Sequence, residues 1–186
     1  MRPGKPRWKW LLLAAASALL LIAGATFFVR QSRDRVETYR PVLLAQFTQN
    51  DVSTKIEARE SPAGQMELLG TFTPTREHFH LYSKDLPRNG LNGLGRPTLL
   101  EVISSDGIRW TGALTAYQPA HDIYLEILGL SFPVYPEGPV MLGLPFELTN
   151  EDRAASMELS VTYMACSDQK CLPPVVDRRF TVKLPH

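Results

Sequence analysis

The sequence predicts an all-β chain, an antiparallel β-sandwich preceded by one N-terminal transmembrane helix. Three observations carry that reading. From about residue 42 onward, short apolar runs are cut by turn residues, and the whole chain holds 15 prolines and 12 glycines, too many for long regular helices. No segment after residue 48 keeps a helical apolar period for three turns. Before that region lies one uncharged stretch of membrane-spanning length.

The elements follow in order. Residues 1–10 carry Arg2, Lys5, Arg7 and Lys9 with no acid, a basic cytoplasmic segment. Trp10 to Val29 is free of charge, and about twenty residues at 1.5 Å per residue reach about 30 Å, the hydrocarbon thickness of a bilayer. The span 11–29 is therefore read as a transmembrane signal anchor. A cleaved signal peptide is the rival, because Ala23-Gly24-Ala25 fits a small-residue cleavage site; against it, Thr26-Phe27-Phe28-Val29 prolongs the apolar run. Either way the remainder is exported. Residues 30–41 are polar and read as a linker, and 42–186 as one β-sandwich domain.

Within that domain the expected strands are Val42–Phe47, Val52–Ala58, Gln65–Phe72, His78–Ser83, Thr98–Ser104, Ile108–Ala116, Ile123–Leu128, Val140–Leu148, Met157–Met164 and Phe180–Leu184. Alternation is clearest near the end, where Leu159, Val161 and Tyr163 share one face and Phe180, Val182 and Leu184 another. Ser105-Asp106-Gly107 predicts a hairpin between its two flanking strands. Lys84 to Pro97, rich in Asn, Gly and Pro, is a long surface loop. Its glycines lack the spacing, the βαβ setting and the Gly-Lys-Ser/Thr of a phosphate loop.

Charge narrows the function. The chain carries 20 basic and 19 acidic residues; without the four basic residues of the first ten, 16 face 19, a net −3. No basic stripe with interleaved aromatics is present, so no nucleic-acid partner is expected. Neither a Gly-x-Ser-x-Gly elbow nor a Ser/His/Asp set suggests itself. His78 and His80 alternate on one face of an expected strand, which suits two metal ligands with His121 as a third, but no carboxylate-rich spacing accompanies them, and an exposed pair of strand histidines is the better reading. No metal and no cofactor is expected. Trp8 and Trp10 suit a membrane interface, and Trp110 a core.

The most informative segment is Val161-Thr162-Tyr163-Met164-Ala165-Cys166-Ser167-Asp168-Gln169-Lys170-Cys171-Leu172-Pro173-Pro174, which holds the chain's two cysteines. In an exported domain a lone pair tends toward a disulfide. Closing a loop of about six residues removes only about 2 kcal/mol of unfolded-state entropy, against about 4.7 for a 100-residue loop. A chain of 186 residues, 44% of them hydrophobic, buries a core without it. A pair that stability hardly needs is better suited to opening and closing. Pro173 and Pro174 remove two backbone donors, so the return leg sits at an exposed edge. Lys170 would favour a Cys171 thiolate and Asp168 would oppose it. The competing reading is a small structural staple in a non-catalytic envelope binding or assembly module, contacted through the Lys84–Pro97 loop and a sheet edge.

The Val161–Pro174 segment resembles the redox hairpin of the N-terminal periplasmic domain of the thiol:disulfide interchange protein DsbD. Phe79-His80-Leu81-Tyr82-Ser83 with its Gly/Pro-rich sequel, and Pro133-Val134-Tyr135-Pro136-Glu137-Gly138-Pro139-Val140, are similar to other parts of that family, and the likeness spans about residues 65 to 185. It implies an immunoglobulin-like sandwich that relays reducing equivalents by disulfide exchange, with Cys166 and Cys171 as the exchanging pair and Cys171 the better choice for the mixed disulfide. It further implies His80 and Tyr82 beside the pair, and an aromatic cap, placed here at Phe132 in Gly129-Leu130-Ser131-Phe132, where a core position competes. Thioredoxin-like proteins, or a membrane-embedded thiol electron carrier, would be the partners, and the inner membrane with the domain in the periplasm the location. The family's membrane conduit and C-terminal thioredoxin-like domain have no counterpart in this sequence, so reductant is expected from another polypeptide.

Overall fold

The computed structural model describes residues 40–149 and 155–184. The basic segment, the anchor or signal peptide and most of the linker lie outside them. Among the described residues there is no helix long and apolar enough to cross a membrane, and the fold is all-β.

Thirteen strands run in chain order: β1 Val42–Gln49, β2 Val52–Glu60, β3 Met66–Pro74, β4 His80–Leu81, β5 Leu99–Asp106, β6 Ile108–Trp110, β7 Thr115–Ala116, β8 His121–Leu125, β9 Leu130–Val134, β10 Val140–Leu148, β11 Ala155–Tyr163, β12 Ala165–Cys166 and β13 Val175–Leu184. The larger sheet has the order β1-β2-β3-β10-β6, with β7 also on β10; the smaller is β13-β11-β5; β12-β4 and β8-β9 form two-stranded ladders. All pairings are antiparallel.

Period-two alternation builds the core. In β2, Val52, Thr54, Ile56 and Ala58 turn inward while Ser53, Lys55 and Glu57 stay half-exposed. Val140, Leu142 and Phe146 of β10 join Leu68 and Phe72 of β3; from the smaller sheet come Leu100, Met157, Leu159, Val161, Tyr163, Val182 and Leu184. Phe72 and Tyr163 meet edge to face across the interface, centroids 5.7 Å apart. On the outer face of the larger sheet, buried Glu67 accepts hydrogen bonds from Arg59 Nε (2.8 Å) and Tyr117 Oη (2.6 Å). Gly143 lies beneath them, where a Cβ would fall 2.6 Å from Glu67 Oε2.

Four expectations need correction. Ser105-Asp106-Gly107 makes no hairpin: β5 pairs with β11 and β6 with β10, so the turn, with Gly107 at φ +75°, carries the chain from one sheet to the other. The expected strand Ile108–Ala116 is broken after Trp110, opposite Pro145, which has no N–H to continue the β10 ladder. Leu130–Val134, absent from the expected strands, is β9. The last strand begins five residues earlier than expected, at Val175.

Because Phe72 is fully buried between the sheets, Phe72→Ala is expected to cost about 3–5 kcal/mol, read as a lower urea midpoint at unchanged slope. A loss below about 1 kcal/mol would contradict a core shared by both sheets.

Candidate functional site

β11 runs on into the cysteine hairpin. After Tyr163 the chain re-pairs as β12, with Ala165 opposite Leu81 and Cys166 opposite His80. Ser167 then turns it: its N–H donates to Lys170 O (2.8 Å), and its Oγ accepts from the N–H groups of Gln169 and Lys170, each at 3.3 Å. Cys171 returns opposite Cys166, and Leu172 N donates to Ala165 O at 2.9 Å. The two cysteines are joined, S–S 2.02 Å.

The two halves of the disulfide meet different surroundings. Cys166 is 2% exposed and packs with Tyr82, Leu86, Phe132 and Val134 in an apolar cluster separate from the main core. Cys171 is an exposed residue. Tyr82 Oη lies 3.3 Å from Cys166 Sγ and 3.9 Å from Cys171 Sγ. Disulfide sulfurs carry no hydrogen, so the phenol is the donor. Burial raises the Tyr82 pKa above its ordinary value, which keeps the proton on that donor.

Tyr82 is held from several directions. Its backbone bridges Val134, its carbonyl accepts from Thr98 Oγ1 (2.7 Å), and its ring meets that of Phe132 at 5.7 Å. Ser83 N donates to Pro133 O and Tyr135 N to Leu81 O, both at 2.8 Å. The Lys84–Pro97 loop is thus more than a surface loop. Leu86 is buried in the cluster, and Gly95, at φ +79°, passes so close that a Cβ would sit 3.2 Å from Tyr82 Cζ. Arg88 ties the loop down, pairing with Asp177 at 2.6 Å and with Glu101.

The histidines differ from the expected exposed pair. His78 lies outside any strand at φ 62°, exposed, 3.4 Å from Glu137. His80 is 9% exposed, and its Nε2 has no protein hydrogen-bond partner. As the cross-strand neighbour of Cys166, its side chain shares that residue's face, and its ring meets Tyr82 edge-on at 6.1 Å. Burial lowers its pKa below 6.5; Asp168 and Glu137 oppose this and His121 adds to it. His121 stands on β8. Among the described residues, no three His, Cys, Asp or Glu side chains are grouped to hold a metal.

The structure thus gathers Cys166, Cys171, His80, Tyr82 and Phe132 at one end of the sandwich. Phe132 reaches it from β9 and is buried in the apolar cluster that holds Cys166. Leu86 and Gly95 were not foreseen. Leu86, one of three leucines in an otherwise polar and glycine-rich loop, was the available signal.

No protein-family model and no curated protein matches the chain. Among solved structures, it is similar to the N-terminal domain of DsbD from Neisseria meningitidis in its reduced form. The identity is 14%, over 76% of this chain and 88% of that one, with a TM-score of 0.39. Backbones that agree only to that extent carry no residue role from one to the other.

Two outcomes are expected at the site. Tyr82→Phe removes a donor that a Cys166 thiolate would need, and a hydrogen bond to a charged group is worth about 1.5–3 kcal/mol. Reduction by dithiothreitol should slow about tenfold, at little change in melting temperature; an unchanged rate would show that the phenol does not act on this sulfur. For His80, the folded-state pKa lies below the unfolded value. The unfolded chain then binds more protons just below pH 6.5, so stability is full above that pH and falls as acid is added, by at most about 1.4 kcal/mol per pH unit. A pH titration of the urea midpoint should be flatter in His80→Leu; equal slopes would remove His80 as the cause.

Proposed function

We propose that this chain is an extracytoplasmic thiol-disulfide exchange module, relaying reducing equivalents between protein partners through Cys166 and Cys171. The observation that carries the proposal is the asymmetry of the disulfide: one sulfur belongs to a buried residue and has a phenol O–H 3.3 Å away, the other belongs to an exposed residue on the return leg, 3.9 Å from the same phenol. A merely stabilising staple has no use for such a difference, whereas exchange needs one accessible sulfur and one supported leaving group.

In the proposed sequence a partner thiolate attacks Cys171 Sγ. The S–S bond breaks, its electron pair goes to Cys166, and Tyr82 donates to the resulting thiolate. The partner's second thiolate then attacks the partner sulfur of the mixed disulfide, leaving the partner oxidised and this chain carrying both electrons. Delivery reverses the steps: the Cys171 thiolate attacks an acceptor disulfide, and Cys166 attacks Cys171 Sγ to regenerate the pair. The partners' potentials set the direction.

Resemblance of the Val161–Pro174 segment to the DsbD redox hairpin supports an immunoglobulin-like version of the sandwich and thioredoxin-like proteins or a membrane-embedded thiol carrier as partners. The basic N-terminus and the uncharged 11–29 span support a single-pass anchor in the inner membrane, with the domain in the periplasm.

The test is the reduction potential of the pair in the purified full-length chain, with trapping of partners in cells. The proposal expects a potential above about −250 mV, and mixed disulfides that accumulate with Cys166→Ser and not with Cys171→Ser. A potential below about −300 mV marks a structural bond, and with no trapped partner the exchange reading fails.

A further inference from the structure

The β1–β2 turn lies more than a hundred residues from the cysteines in sequence, yet both legs of their hairpin are tied to it. On the incoming leg, Tyr163 Oη donates to Gln49 O at 3.2 Å. On the outgoing leg, Asn50 Nδ2 donates to Pro173 O at 2.8 Å and to Pro174 O at 3.4 Å. Pro173 and Pro174 have no N–H, so they cannot hold a ladder partner as donors. Their carbonyls are held instead by a side chain from another part of the fold.

The turn is itself fixed. Asn50 and Asp51 both adopt left-handed backbone, φ 49° and 54°, a conformation Asn and Asp tolerate well. Gln49 Oε1 accepts from Arg178 at 2.6 Å. Asp51 O accepts from Thr75 N at 2.8 Å, and its carboxylate pairs with Arg76 at 2.5 Å. Glycine would serve the backbone at position 50 equally well; what it lacks is the amide that reaches Pro173.

We infer that Asn50 is a positioning residue for the redox pair. With Gln49 it forms a brace joining the two legs of the cysteine hairpin, and it holds Cys171 within reach of Cys166 after the disulfide opens. This rests on the exchange reading for its purpose, though not for its test. Opening the disulfide frees the outgoing leg to drift, and the brace limits that drift. The effective concentration of one thiol near the other is thereby higher, which favours the disulfide. Asn50 touches no reacting atom.

Asn50→Gly keeps the turn and removes the donor. Its expected effect is a smaller equilibrium constant for disulfide formation, by up to about tenfold, equivalent to a rise of about 30 mV in the potential of the full-length chain. The melting temperature of the oxidised form should fall more than that of the reduced form, because the brace contributes most when both legs are in place. Asn50→Asp, which keeps the left-handed turn but has no side-chain N–H to offer, should shift the potential in the same direction. Equal losses of melting temperature in the two redox forms, with an unmoved potential, would reduce the contact to ordinary structural support and overturn the inference. A wild-type potential below about −300 mV that still rises in Asn50→Gly would retain the brace and discard the relay, so the two ideas fail separately.

Discussion

β11 is paired along both of its edges, to β13 and to β5, and the disulfide end of the molecule depends on that double pairing. With both neighbours in place even its polar Ser160 and Thr162 are buried, so the strand has little room to shift register. Tyr163, at its end, packs against Phe72 of the opposite sheet. The next residues turn outward into β12 and the cysteine hairpin. The position of Cys166 is therefore set by the main core even though it packs in a different cluster.

Around that fixed sulfur the molecule assembles pieces from distant parts of the chain. The His80–Tyr82 segment lies between β12, which pairs with β4, and Val134 at the end of β9, which bridges Tyr82. The Lys84–Pro97 loop closes over it, and the β1–β2 turn supports both legs from beneath. Burial of Cys166 and exposure of Cys171 follow from this arrangement rather than from the hairpin's own sequence, since a five-residue separation says nothing about which sulfur faces water. The chemistry of the pair is thus a property of the sandwich end as a whole.

Much of the frame was legible in the sequence because alternation is a local signal. Val52–Ala58 and Val140–Leu148 read correctly as strands, and Met157–Met164 matches β11 to within two residues at either end. Other features were not legible, for physical reasons. Ser105-Asp106-Gly107 has the same turn chemistry whether the chain folds back or crosses to another sheet. Ile123–Leu130 is apolar almost throughout, so its period does not reveal that Gly129 closes a hairpin between β8 and β9. His80 reads as a surface residue of an amphipathic strand, yet it is buried where its strand pairs with the cysteine hairpin. The Asn50 contact spans 123 residues, and nothing local announces it.

The phenol and the sulfur it serves are 84 residues apart, whereas the two sulfurs are separated by only five. This has a consequence for assembly of the chain. Closing so short a loop costs little entropy and can happen in an unfolded chain, whereas Tyr82 reaches Cys166 only after long-range β pairing, the slow part of folding for such topologies. Oxidation of the pair and construction of its surroundings are separate events. A nascent chain can acquire its disulfide before it has a site, and the bond gains its two unlike sulfurs only when the sandwich closes.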